Sequence, residues 1–184
     1  MVTLEQNYSW SQQMWEKHVW PFMVSEFGAR EYNFLYTGYR SKEDMRDKID
    51  VLIYEITLPD KKWKFQIRIQ DKDYRSFTIR KSRPFGNDLL HEYHLILNTD
   101  QPLFDIFLQA YVVKGVLTSI AAIRIEYLRY LKKTKPKLFE MTKTNGQDGV
   151  LFAPVYWYMI PPNSHFYVRK LSEPKSSKNM DLFK

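Results

Sequence analysis

The chain has 184 residues, of which 44% are hydrophobic and 27% are charged, a composition typical of a globular domain with a substantial core. Its 28 Lys and Arg residues outnumber 21 Asp and Glu, so the formal net charge is +7 and the pI is about 9.4. The sequence contains no cysteine, which excludes disulfides, cysteine nucleophiles and cysteine-based zinc sites.

The N-terminal segment predicts a helix rather than a targeting signal. The stretch MVTLEQNYSW lacks the basic and apolar regions of a signal peptide, and no apolar run reaches the roughly 18 residues that span a bilayer. We therefore expect a cytoplasmic protein with no membrane contact. Ser9 and Gln12 form a capping-box pattern that starts a helix over about residues 9–27, which Pro21 kinks or splits and Gly28 ends.

Four segments with alternating or strongly apolar patterns follow this helix and predict an antiparallel meander. They are YNFLYTGY (32–39), IDVLIYEITL (49–58), KWKFQIRIQDK (62–72) and RSFTIRKS (75–82). The charged stretch 40–48 connects the first two, and the turn PDKK connects the second to the third.

The second half of the chain predicts more strands and one strong helix. Strands are expected at 92–98, 104–112 and 150–160, a short one at 165–171, and the helix at 119–133. This order predicts an α/β (α+β) fold, in which helices flank a central mixed β-sheet. We expect residues 1–172 to form one domain and the polar, Lys-rich residues 173–184 to form a flexible tail.

The third strand of the meander has an unusual polar face. Phe65, Ile67 and Ile69 point to one side of this strand. The other side carries a polar row that consists of Gln66, Arg68, Gln70 and Lys72. The simplest interpretation of this row is a solvated surface.

A second interpretation comes from Asp50, at the start of the neighbouring apolar strand. A carboxylate is costly there unless it is paired or binds a ligand, and the simplest pairing is with Lys48 or Arg46. Alternatively, Asp50 and Gln66 hold a divalent metal, while Arg68, two residues further on the same face, stabilises negative charge at phosphorus.

This arrangement resembles the PD-(D/E)xK nuclease superfamily, the fold of Holliday-junction resolvases and many restriction enzymes. KIDVLIY stands where the family has its metal-binding Asp, and FQIRIQ stands where it has its (D/E)-x-K strand. The resemblance implies a restriction-endonuclease-like fold that hydrolyses phosphodiesters, of DNA more than RNA. It implies Mg²⁺ or Mn²⁺ held by Asp50, Glu26 and Gln66, with Asp50, Gln66, Arg68 and Lys72 as catalytic residues.

The motif departs from the family pattern at two positions. Gln66 replaces the second acid and brings no charge to a metal site. Arg68 replaces Lys and is bulkier and does not titrate. The register that pairs Gln70 with Lys72 restores the Lys but still lacks the acid, and Asp60 in LPDKK belongs to a turn.

The basic residues predict an anionic partner. Arg80, Lys81 and Arg83 form a cluster that binds nucleic-acid phosphates or, alternatively, a solvated edge. The departures from the motif leave two further functions open: an inactive nucleic-acid-binding module or subunit of a larger nucleic-acid complex, and a protein–protein adaptor. A homodimer is compatible with each of them.

Overall fold

The computed structural model of the chain describes residues 4–38, 50–82, 92–97, 104–146 and 149–171. The α-helices in these residues are α1 (Leu4–Met14), α2 (Trp20–Phe27), α3 (Glu92–Leu97) and α4 (Ile125–Thr134). The strands are β1 (Tyr32–Tyr36), β2 (Val51–Glu55), β3 (Lys62–Gln70), β4 (Ser76–Ser82), β5 (Ile106–Val113), β6 (Val116–Arg124), β7 (Lys143–Thr144), β8 (Leu151–Tyr156) and β9 (Phe166–Lys170). A π-helical turn, Trp15–Val19, connects α1 to α2.

The strands form two sheets. The main sheet has the order β1-β2-β3-β5-β6-β9, and the small sheet has the order β4-β8-β7. In the main sheet β3 pairs with β5 in parallel, and the other described pairings are antiparallel. The predicted α/β (α+β) fold with a central mixed sheet and flanking helices is thereby confirmed.

The two faces of the main sheet pack against different parts of the protein. Ile67, Leu108, Ala122 and Tyr167 form one row across β3, β5, β6 and β9, and all belong to the hydrophobic cluster that includes Trp15 of the N-terminal helical segment. Neighbouring residues on a strand point to opposite faces. The next row therefore faces the opposite layer.

That next row contains Gln66, Phe107, Ile123 and Phe166. Phe107 and Ile123 belong to a second hydrophobic cluster, which receives Phe77 from β4, Leu95 from α3 and Leu128 from α4. The polar face of β3 is therefore covered by the small sheet and by α3 and α4. The solvated-face interpretation of this row is wrong at Gln66, which is buried.

The N-terminal helix begins earlier than predicted. Ser9 and Gln12 lie within α1, so the capping box does not start the helix. The helix is not split at Pro21, because the backbone stays right-handed helical at Val19 and Trp20, and Pro21 lies in the first turn of α2 directly after the π-helical turn. Gly28 ends α2 with a φ of 66°, a left-handed conformation that glycine adopts without a steric penalty.

Three predictions for later elements are wrong. Residues 92–97 form a helix, because Glu92, Leu95 and Ile96 are buried at the i, i+3, i+4 spacing of a helical face. Residues 119–124 belong to β6 rather than to the predicted helix at 119–133, which begins only at Ile125. β4 does not extend the meander, because β5 occupies the second edge of β3 and β4 pairs with β8.

Some predictions concern residues that lie outside the described ranges. These are the loop 40–48 with Arg46 and Lys48, the cluster residue Arg83 and the tail 173–184.

Candidate functional site

Asp50 and Gln66 lie side by side, as the sequence predicts. Val51 pairs with Phe65, so the antiparallel register places Asp50 opposite Gln66. The side-chain Nε2 of Gln66 donates a hydrogen bond to Asp50 Oδ2 at 2.9 Å, and the backbone N–H of Ile67 donates to the same oxygen at 2.6 Å. The backbone N–H of Asp50 donates to the carbonyl of Phe65 at 2.8 Å, which extends the ladder by one residue.

The oxygen of the Gln66 side-chain amide has a different environment from its nitrogen. Gln66 is only 6% exposed, and its Oε1 has no hydrogen-bond partner among the described residues. A buried amide oxygen without a partner costs about 1–3 kcal/mol. This oxygen, next to the Asp50 carboxylate, therefore needs a donor or a cation.

Arg68 forms a buried ion pair with Glu92. Its Nη2 donates to Glu92 Oε1, and the side chains of Arg68 and Glu92 are 11% and 2% exposed. The second oxygen of Glu92 accepts a hydrogen bond from the backbone N–H of Arg80 at 2.9 Å. Both Glu92 oxygens therefore have donors.

The ionisation of this pair follows from burial and from its charges. Burial lowers the pKa of the Arg68 guanidinium to about 10, against the opposing effects of Glu92 and Asp50. Burial alone would raise the pKa of Glu92, but the charges of Arg68 and Arg80, with their hydrogen bonds, bring it below the ordinary value. Both groups are therefore charged at neutral pH.

The polar row continues along the main sheet and ends on the small sheet. Gln109 Nε2 donates to Gln70 Oε1 at 3.2 Å, and Gln109 Oε1 accepts from the backbone N–H of Thr78 at 3.4 Å. Tyr111 Oη accepts from the N–H of Ser76 at 3.2 Å and donates to the carbonyl of the same residue at 2.7 Å.

Three side chains thus satisfy alternate N–H groups of β4: Tyr111 at Ser76, Gln109 at Thr78 and Glu92 at Arg80. Backbone N–H groups that are buried without a partner are rare, because each costs free energy. Side chains of β5 and α3 therefore hold one edge of the small sheet.

The remaining predicted metal ligand, Glu26, lies elsewhere. Its Oε1 accepts a hydrogen bond from Tyr167 Oη at 3.1 Å. Because Tyr167 lies in the row of Ile67, this contact is on the opposite face of the main sheet from Gln66. The structure therefore does not bring Glu26 to Asp50.

The predicted basic residues that the structure describes have different environments. Lys72 is exposed in the bend that follows β3. Lys81 Nζ donates to the carbonyl of Glu140 at 3.1 Å and to Thr142 Oγ1 at 2.7 Å, and lies 5.0 Å from the ring centroid of Tyr93. Arg80 is half-buried, and Arg83 lies outside the described residues.

Glu92 is the residue of the site that the sequence analysis missed. It was interpreted as the first residue of a strand, where its side chain would have no defined partner. The helical spacing of Glu92, Leu95 and Ile96 could have placed the carboxylate on a buried face, where a charged partner is required.

The donor set fits a divalent cation only weakly. Asp50 and Gln66 offer hard oxygen ligands, which suit Mg²⁺ or Mn²⁺, but together they carry a single negative charge. Among the residues that the structure describes, no group of three or more His, Cys, Asp or Glu side chains could hold a metal ion.

Comparison with known proteins adds no relative to these observations. No protein-family model matches the chain, and no curated protein matches it. In the described part of the chain, no helix has both the length and the apolar character required to cross a membrane.

Proposed function

We propose that this protein binds nucleic acid, and that it is a non-catalytic module whose frame is similar to that of the PD-(D/E)xK nucleases. The formal net charge of +7 supports a polyanionic partner, because attraction to a phosphate chain acts before any specific contact. Two features support a strand arrangement similar to that of these nucleases. Asp50, directly before β2, lies opposite Gln66 of the antiparallel strand β3, and β5 pairs with β3 in parallel.

The hydrogen bond between Gln66 and Asp50 carries the proposal that catalysis is absent. Two carboxylates at these positions would repel each other and would need a cation between them. The Gln66 amide instead donates directly to Asp50, so this carboxylate is stabilised without a metal ion. Arg68 supports the same conclusion, because Glu92 neutralises its charge inside the protein.

The orphaned Gln66 Oε1 favours a second candidate function, a metal-dependent nuclease with a weakened site. Asp50 and Gln66 would hold Mg²⁺ or Mn²⁺, and Arg68 would supply positive charge near the ligand. The bound ion would polarise a phosphodiester and lower the pKa of its water. Glu26 does not belong to this site, because it lies on the other face of the main sheet.

One experiment tests both candidates. Labelled single- and double-stranded DNA and RNA are incubated with the protein while Mg²⁺ and Mn²⁺ are titrated, and retention and cleavage are measured on the same samples. We expect retention that falls steeply with salt and no cleavage by the wild type or by Asp50→Asn. Cleavage by the wild type that is lost in Asp50→Asn would establish the nuclease. If no substrate is retained at low salt, both candidates are wrong.

Charge variants locate the binding surface. We expect Lys81→Gln to weaken binding to all sequences and to lower the slope of log K against log salt. Lys61→Gln is the matched control, because Lys61 is exposed and its Nζ already lies 3.7 Å from Glu55. An equal loss in both variants would show that the cluster has no specific role.

A further inference from the structure

Three tyrosines and a lysine gather on the outer side of the small sheet. Val155 faces the hydrophobic core, so its neighbour Tyr156 points away from it. The ring centroids of Tyr156 and Tyr158 are 5.7 Å apart, with 31° between the ring planes. Lys143 Nζ donates to Tyr156 Oη at 3.0 Å and lies 5.7 Å from the centroid of that ring.

Tyr74 completes this group from the start of β4. Tyr74 lies two residues before β4, whose pairing with β8 begins at Ser76 and Tyr156, and the N–H of Trp157 donates to the carbonyl of Arg75 at 3.0 Å. Tyr74 also acts electrostatically on Lys143. We call Tyr74, Lys143, Tyr156 and Tyr158 the tyrosine–lysine patch.

The rings of the patch are open to solvent. Tyr158 is 82% exposed and Tyr74 is 56% exposed, although both are large aromatic side chains. Lys143 is also exposed, and its hydrogen bond to Tyr156 raises its pKa, so it carries a positive charge at neutral pH. Exposed rings beside a cation offer flat π-faces for stacking and a charge for a phosphate.

We propose that the tyrosine–lysine patch binds single-stranded nucleic acid, with Tyr158 and Tyr74 stacked on bases and Lys143 paired with a phosphate. This inference rests on the proposed nucleic-acid binding and names the form of the ligand. Bases in a duplex are already stacked on each other, so exposed rings distinguish a single strand from a duplex. The positive charge of the whole chain favours this polyanion over a neutral sugar or an apolar peptide.

Three probes distinguish the contribution of base stacking to the affinity from the contribution of charge. Fluorescence anisotropy measures binding to a labelled oligothymidine, to an abasic oligonucleotide of equal length and to a matching duplex. We expect the wild type to bind oligothymidine more tightly than the abasic strand. Tyr74→Ala combined with Tyr158→Ala should weaken oligothymidine binding by at least about fivefold and leave abasic binding unchanged.

Two control variants make the test specific. Tyr130 is 58% exposed but lies on α4, outside the tyrosine–lysine patch, so Tyr130→Ala should leave every affinity unchanged. Lys143→Gln should lower the slope of log K against log salt by about 0.7, the value for one phosphate contact on a single strand, whereas Lys61→Gln should not.

The outcomes separate this inference from the function on which it rests. A wild type that binds none of the probes would overturn this inference together with the proposed binding of DNA. A wild type that binds all three while the tyrosine double variant binds as tightly would overturn only the stacking inference. Equal losses on the oligothymidine and abasic strands would also overturn it, because an abasic strand offers no base to a ring. Melting temperatures equal to that of the wild type exclude misfolding as the cause of a loss.

Discussion

Removal of the Arg68 guanidinium should strongly destabilise the fold. The substitution Arg68→Met keeps a long side chain over β3 but leaves the Glu92 carboxylate, which is 2% exposed, without its charged partner. Breaking a buried ion pair from one side costs about 3–5 kcal/mol. In a chain of 184 residues, 1 kcal/mol shifts the melting temperature by about 2–4 °C, so we expect a decrease of about 6–20 °C.

A second substitution should restore much of this loss. In the double variant Arg68→Met with Glu92→Gln no charge of the pair remains, and the amide oxygen at position 92 can still accept from the backbone N–H of Arg80. A buried ion pair replaced by neutral groups of similar volume is often close to neutral in stability. The double-mutant cycle should therefore give a favourable interaction energy of about 3 kcal/mol between Arg68 and Glu92.

The pH dependence gives an independent check on the same pair. In the wild type the pKa of Glu92 is lowered below the ordinary 4.5, because Arg68 and Arg80 outweigh burial. Its ionisation therefore contributes stability that is fully present above pH 4.5 and is lost as the pH falls through the folded pKa. In Arg68→Met burial is less opposed, so we expect the pKa of Glu92 to rise and protonation to relieve the buried charge.

Urea unfolding followed by circular dichroism at pH 7 and at about pH 4 measures both effects. We expect the free energy of unfolding of Arg68→Met to lie closer to that of the wild type at the lower pH. If the single and double variants unfold at the same urea concentration, the proposed stabilisation by the ion pair is wrong. A deficit of Arg68→Met that is constant with pH would show that Glu92 is not the titrating partner.

Three further substitutions test the site and its frame. Gln66→Glu places a second carboxylate next to Asp50 and should lower the free energy of unfolding by about 1–3 kcal/mol in the presence of a chelator. Addition of Mg²⁺ or Mn²⁺ should restore part of the melting temperature. Identical melting temperatures with and without metal would exclude a cation site. Tyr111→Phe leaves the N–H and carbonyl of Ser76 without this partner and should lower the free energy of urea unfolding by about 1–3 kcal/mol, and a loss below about 0.5 kcal/mol would contradict its role. Gly28→Ala meets no atom within 4 Å, so its expected cost of about 1–2 kcal/mol by thermal melting comes from the φ of +66° alone, and no loss would refute that cause.

The sequence predicted the parts of the fold that depend on local alternation. The polar and apolar sides of β3 were assigned correctly, because Phe65 and Ile69 are in the hydrophobic cluster on one face and Gln66 lies on the other. The contact between Asp50 and Gln66 was predicted as well, because a short turn between two alternating strands makes them neighbours with a defined register.

The wrong predictions come from segments in which local pattern does not decide the structure. Residues 120–123 are apolar on both sides because β6 lies between β5 and β9 inside the main sheet, and such a run resembles a buried helix. The chain order of β3 and β4 suggested a hairpin, but the edge of β3 is taken by β5, which comes later in the chain. Long-range pairing of this kind leaves no mark in a single strand's sequence.

The contact between the main sheet and the small sheet explains why β3 carries a polar row inside the protein. β4 places alternate N–H groups against the main sheet, and an apolar surface there would leave them without acceptors. Gln109 and Tyr111 on β5 and the Arg68–Glu92 pair supply those acceptors or hold them in place. Arg68 therefore has a structural role at the contact between the two sheets, and this role does not require a substrate.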